Sequence, residues 1–204
     1  MYSLCKPICE TYRYKRKKLR LNLSFDRVLK IFELLQNDFF CDEEKLKISL
    51  RLLVVNYRSI QRYVIMEQYE IFDEIMKTFV NQEKANGEKN DEKVIDYTED
   101  AQYIFSSFYK DYGMDLYEMQ GKLHWFKFLS LLTGLSSDTK MRQILDIRTQ
   151  KIPAPTAYNR EEIERLRNLK AFYALKISSE DKEKQYQSNL SQLAQALEKM
   201  AVKV

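Results

Sequence analysis

"KLHWFKFLSLLTGL" (residues 122–135) places the chain's one histidine beside its one tryptophan. At about 100° per residue on a helix, Trp125, Phe128, Leu129, Leu132 and Leu135 fall on one broad apolar arc, widened by Leu123 and Phe126. His124, Lys127 and Ser130 occupy the narrow remainder. A helix apolar around so much of its circumference belongs in a core. The spacing predicts a central core helix that begins near Asp115 and stops at Gly134, with Trp125 and Phe128 as packing anchors. Catalysis by His124 requires a nucleophile or an orienting group beside it, and the pattern offers no partner cluster. The expectation is a histidine at the edge of the packed face, its ring buried and one nitrogen meeting backbone or solvent.

Composition extends this reading outward. The chain has 204 residues, enough to bury a sizeable core, and 45% of them are apolar. Sheet-rich proteins need frequent turn residues, so the presence of only 4 Gly and 3 Pro argues for helices joined by short connections. No apolar run approaches the roughly 20 residues of a membrane span, and the N-terminus lacks the apolar stretch of a secretory signal. Cys5, Cys9 and Cys41 read as reduced thiols of a cytosolic protein.

The helical pattern recurs along the chain. Ser24 is placed to cap "FDRVLKIFELLQ", where Val28, Leu29, Ile31, Phe32 and Leu35 keep helical spacing, and "CDEEKLKISLRLLVV" puts acidic residues at the positive end of a second helix dipole. "RSIQRYVIMEQYEIFDEIMKTFV" carries a third buried stripe through Ile60, Tyr63, Val64, Ile71, Phe72, Ile75, Met76 and Phe79. "NQEKANGEKNDEK" (81–93) has no apolar anchor and reads as a flexible loop. In "DYTEDAQYIFSSFYKDYG", Thr98 or Asp96 is the expected cap, Ile104, Phe105, Phe108 and Tyr112 form a stripe, and Gly113 is the left-handed stop. "SSDTKMRQILDIRTQ" is a short helix, "KIPAPT" (151–156) a stiff connector, and Asn159 with Glu162 has capping-box spacing for the helix after it. From Ser179 a last helix steps through Tyr186, Leu190, Leu193, Leu197 and Met200. Its narrow seam suits pairing with one other helix, either a second copy or a client. The fold class is thus mainly α: a multi-helix bundle with a short extended or hairpin N-terminal element and an amphipathic C-terminal helix. The organisation reads as an arm over residues 1–23, a helical core over 24–156 and an extension over 157–204.

The chemistry of sites is sparse. Cys5 and Cys9 have no second pair to complete a zinc site, four scattered glycines cannot make a phosphate loop, and no cofactor or metal is expected. The net charge of +4 is modest, but "RYKRKKLRL" (13–21) concentrates Arg13, Lys15, Arg16, Lys17, Lys18 and Arg20. Interleaved with Tyr12 and Tyr14, these cations could contact phosphates and bases. A solvated hairpin face, or a patch for an acidic protein, ranks above nucleic acid because no reading module accompanies the arm.

One resemblance joins these stretches. "YTEDAQYIFSSFYKDYGMDL" running into "LHWFKFLSLLTGL", then "MRQILDIRTQKIP", resembles the bacteriophage gene-product-fifteen family of tailed phages and prophages of Gram-positive bacteria. "LNLSFDRVLKIFELL" is similar to that family's opening and "LKAFYAL" to its close, so the likeness spans about residues 20–176. Its most specific element is Leu123-His124-Trp125 followed by Phe126-Lys127-Phe128; Phe126 stands where a second tryptophan is common, which keeps an aromatic core. The resemblance implies a non-catalytic tail assembly chaperone of siphophages. Such a factor works in the host cytoplasm, binds the tape measure protein, tail-tube subunits or both, and is absent from the mature virion. The alternatives are a nucleic-acid-binding phage protein using the basic arm, and a structural tail or head-completion component of the virion.

Overall fold

Leu19, Leu21 and Leu23 are all buried while Arg20 and Asn22 between them are not, a period of two that marks an extended segment. It continues a hairpin of β1 (Thr11–Tyr14) and β2 (Lys17–Arg20), antiparallel in the register Thr11↔Arg20 to Tyr14↔Lys17. Past the hairpin the same segment stitches two distant places together. The Asn22 amide donates to Leu53 O at 2.7 Å and the Val55 amide to Arg20 O at 2.8 Å; the Trp125 amide donates to Leu23 O at 2.7 Å and the Phe25 amide to Leu123 O at 2.9 Å. The extended element therefore runs through the core and satisfies backbone groups that burial would otherwise strand.

The computed structural model describes residues 4–5, 7–80, 94–156 and 158–176. They form a mainly α fold, with helices α1 (Phe25–Leu35), α2 (Asp42–Leu53), α3 (Ile65–Ile75), α4 (Ala101–Tyr112), α5 (Trp125–Thr133), α6 (Lys140–Thr149) and α7 (Arg160–Phe172). The loop expected over 81–93 and the C-terminal helix expected from Ser179, with Leu190, Leu193, Leu197 and Met200, lie outside the described residues. Contacts divide the chain into two units, Met1–Asp146 and Ile147–Val204. In the first, one apolar cluster gathers Val28 and Ile31 of α1, Leu50 and Leu53 of α2, Ile71 and Ile75 of α3, Ile104 and Phe108 of α4, and Phe128 and Leu132 of α5. In the second, α7 buries Ile163 and Leu166, and Lys170 Nζ donates to Arg148 O at 2.7 Å.

Several expected boundaries move, each for a local reason. The central helix does not begin near Asp115: residues 116–122 are turns. Asp115 Oδ1 accepts from the Tyr117 amide at 2.8 Å, Gly121 sits at φ +72°, and Asp26 Oδ1 takes the Gly121 amide at 2.8 Å. Side-chain capture of nearby amides offers the backbone an alternative to helix, and here it wins. The third helix starts at Ile65, preceded by a 3₁₀ turn over Tyr57–Ser59 and continued by a π turn over Met76–Val80. Ser24 holds the cap position of α1 without a side-chain bond. Asn159 precedes α7 but binds backward, accepting from the Thr156 amide at 2.7 Å and donating to Ala154 O at 2.9 Å. Asp100 takes the cap position of α4, one turn inside Asp96. Gly113 closes α4 at φ +61°, the left-handed stop its residue type suggested.

Candidate functional site

The signature residues build the centre of the first unit. Phe128 stacks on Phe25 at 5.0 Å and on Phe108 at 5.3 Å between ring centroids, with Trp125 at 5.6 Å and Tyr97 at 6.2 Å. Offset rings at such separations attract beyond their burial. The Trp125 indole donates to Val80 O at 3.2 Å, which removes the cost of burying its N–H. His124 is 6% exposed and caps α5, its Nδ1 accepting from the Phe126 amide at 3.0 Å. An accepting Nδ1 places the proton of the neutral ring on Nε2, a buried atom with no partner among the described residues. Burial, and then Lys127, holds the imidazole pKa below the usual histidine value. His124, Trp125 and Phe128 thus work as cap and core. Among the described residues, no cluster of three or more His, Cys, Asp or Glu could hold a metal ion, and no helix is long and apolar enough to cross a membrane.

The structure sorts the six basic residues of the hairpin by strand alternation. Tyr12, Tyr14, Lys17 and Leu19 occupy one face in the observed register; Leu19 is buried, Tyr12 and Tyr14 are half-buried, and Lys17 is exposed at the margin of that face. Tyr14 Oη donates to Glu70 at 2.8 Å, which raises the phenol pKa. Lys15 pairs with Glu67, and Lys17 donates to Ser59 O with its ammonium 4.7 Å from the Tyr63 ring centroid. Arg13, Lys18 and Arg20 share the opposite face, with Arg16 at the bend, and all four are exposed. The basic run therefore divides into two cations that fasten the hairpin and four that face solvent.

Beside the hairpin, α3 presents two different faces. Glu67 and Glu70 meet the hairpin; Ile65, Met66, Tyr69 and Phe72 line a groove of about 650 Å³ shared with Leu35 of α1 and Leu46 of α2. Much of this lining is open: Met66 is 64% exposed, Tyr69 56% and Leu35 41%. Asp42 and Glu43 at the start of α2 stand on its wall with Lys45. Lys45 is engaged at 3.2 Å with Leu35 O, where cations suit a helix C-terminus. Contiguous exposed apolar surface rimmed by charge marks interaction sites. A second cleft between α1 and α4, lined by Phe25, Leu29, Ile104 and Phe105, holds about 220 Å³, below the range usual for ligand pockets.

The sequence alone does not delimit the groove, although it carries a sign of it. Leu35 and Val64 keep the spacing of the first and third buried stripes, yet they are 41% and 65% exposed, and Ile65, Met66 and Tyr69 lie outside those stripes. A helix with apolar residues outside its core stripe has more apolar surface than one core can take, and that excess was the available clue.

No curated protein and no solved structure matches this chain. A protein-family model described as "Bacteriophage Gp15 protein" matches residues 4–175, a span that holds the His-Trp signature, the hairpin and all three walls of the groove. The chain belongs to the bacteriophage Gp15 family.

Proposed function

We propose that this phage protein is a tail assembly chaperone that acts by binding, without catalysis, in the host cytoplasm, and is absent from the mature virion. The observation that carries this reading is the groove walled by α1, α2 and α3. A tape measure protein is long, helical and striped with apolar residues, so it needs cover until tail-tube subunits enclose it. Laying an amphipathic helix into an apolar groove is a recurring mode of recognition. One turn of helix, about 10 Å across with a pitch of 5.4 Å, occupies roughly 400 Å³, and the groove of about 650 Å³ accommodates it. Glu43 is paired with Lys47, so the acidic side chain of Asp42 is the one that favours a client helix carrying Lys or Arg beside its apolar stripe.

Leu190, Leu193, Leu197 and Met200 form a second candidate contact for the client or for self-association. Two measurements test the role. Mass spectrometry of purified particles should find the protein absent; its presence in stoichiometric amount would make it a structural virion component instead. Deleting residues 179–204 should impair oligomerisation or tape-measure solubility in co-expression; if both are unchanged, the C-terminal seam has no part in the work.

A further inference from the structure

We propose that the outer face and free edge of β1 form a docking site for an acidic polypeptide segment that adds to the hairpin in extended conformation. The site lies apart from the groove and stands independently of the chaperone reading.

Two observations converge on it. Arg13, Arg16, Lys18 and Arg20 are exposed and have no acidic partner among the described residues, whereas Lys15 and Lys17 are tied down. The Leu21 amide donates to Glu10 O at 2.7 Å, which fixes 10·21 as a hydrogen-bonded pair. By antiparallel alternation 12·19 and 14·17 are bonded pairs too, and residues 11 and 13 direct their backbone groups away from β2. Thr11 O accepts from the Cys9 thiol at 3.4 Å, but the Thr11 N–H and both backbone groups of Arg13 have no partner among the described residues. A strand added there completes the ladder. Its alternate side chains come up beside Arg13, with Lys18 and Arg20 one strand further on, and their long stems let the charges lean toward it.

This edge separates polypeptide from nucleic acid. Base stacking needs exposed aromatic faces, and Tyr12 and Tyr14 are turned inward. Phosphate contacts by the outward cations alone give a salt slope of roughly −3 to −4, a weak site. Only a polypeptide uses the main-chain donors and acceptor of the edge as well as the charges.

The test uses the full chain and three fluorescein-labelled probes: a decapeptide alternating Thr and Glu, one alternating Thr and Lys, and a 20-nucleotide oligo-dT. The Thr-Glu peptide should bind best, with slowed amide exchange at Thr11 and Arg13. The triple variant R13Q/K18Q/R20Q should weaken it about tenfold, and R13Q alone about threefold, in proteins whose thermal melts match the wild type. Equal binding of the Thr-Lys peptide, tighter binding of oligo-dT, undiminished affinity in the triple variant, or binding without protection at Thr11 and Arg13 would each overturn the proposal.

Discussion

His124 offers a perturbation whose size follows from its geometry. His124→Ala removes the acceptor that satisfies the Phe126 amide at 3.0 Å, and losing such a cap costs about 1 kcal/mol, within a range of about 0.5–2. Truncating a buried ring also forfeits apolar contact, but Nε2 is buried without a partner, and relief of that unsatisfied donor offsets the loss. The net expectation is about 1 kcal/mol, or a fall in Tm of about 2–4 °C for a protein of this size. His124→Asn keeps a short side-chain acceptor at the cap and should lose less than half as much. Protonation makes a separate demand, because the second proton must enter at Nδ1, the atom that caps the helix. The folded pKa is lowered, by burial first and Lys127 second. Between the two pKa values the unfolded state therefore binds more protons. The contribution of His124 is fully present above the unfolded value of 6.5 and is lost as pH falls from there toward the folded pKa. Urea unfolding of wild type and both variants at pH 7.5 and pH 5.0 measures this. His124→Asn should show the shallower loss on acidification. Asn costing as much as Ala at pH 7.5, or wild type and His124→Asn losing stability in parallel on acidification, would refute the capping role of His124.

Further expectations concern the core, a turn and one surface carboxylate. Phe128→Ala should cost about 3–5 kcal/mol in chemical denaturation, whereas Phe39→Ala, at a side chain 87% exposed, should stay within about 0.5 kcal/mol. Gly113→Ala should cost about 1–2 kcal/mol by the same assay: φ is +61° and a Cβ would meet no atom within 4 Å, so the penalty is conformational alone. Asp138 is held at a pKa of about 2, chiefly by the hydrogen bond from Lys110 Nζ at 2.6 Å and then by the Ser136 hydroxyl. Its stabilising effect is present above the usual carboxylate value of 3.8 and is lost as pH falls through about 2. Lys110→Met should return the carboxylate toward 3.8 in an NMR titration.

The sequence made the helical class legible because apolar periodicity survives without tertiary knowledge. Val28, Ile31, Ile71, Ile75, Ile104 and Phe108 are buried where their spacing placed them, whereas Leu35, Val64 and Tyr112 on the same stripes are exposed. The start of α5 was not legible, because it depends on Asp26 reaching Gly121 across 95 positions of chain. Periodicity drew His124 and Trp125 onto one continuous helix; the structure puts the helix start between them. The basic run was visible as charge, but its division into fastening and outward residues follows from a strand register the composition does not reveal. The groove depends on which apolar residues the core leaves over, and a stripe drawn on one helix at a time does not count them.

The proposed function requires the groove beside α3 to take a helical segment of the tape measure protein. Met66→Lys with Tyr69→Lys changes two exposed groove residues and leaves the buried core untouched. The most direct measurement is the fraction of tape measure protein that stays soluble and co-purifies when it is co-expressed with the wild type or with this variant. A soluble complex is expected with the wild type and an aggregated, uncomplexed tape measure protein with the variant, both forms of this protein having equal melting temperatures. Equal solubility and equal co-purification with the variant would contradict it.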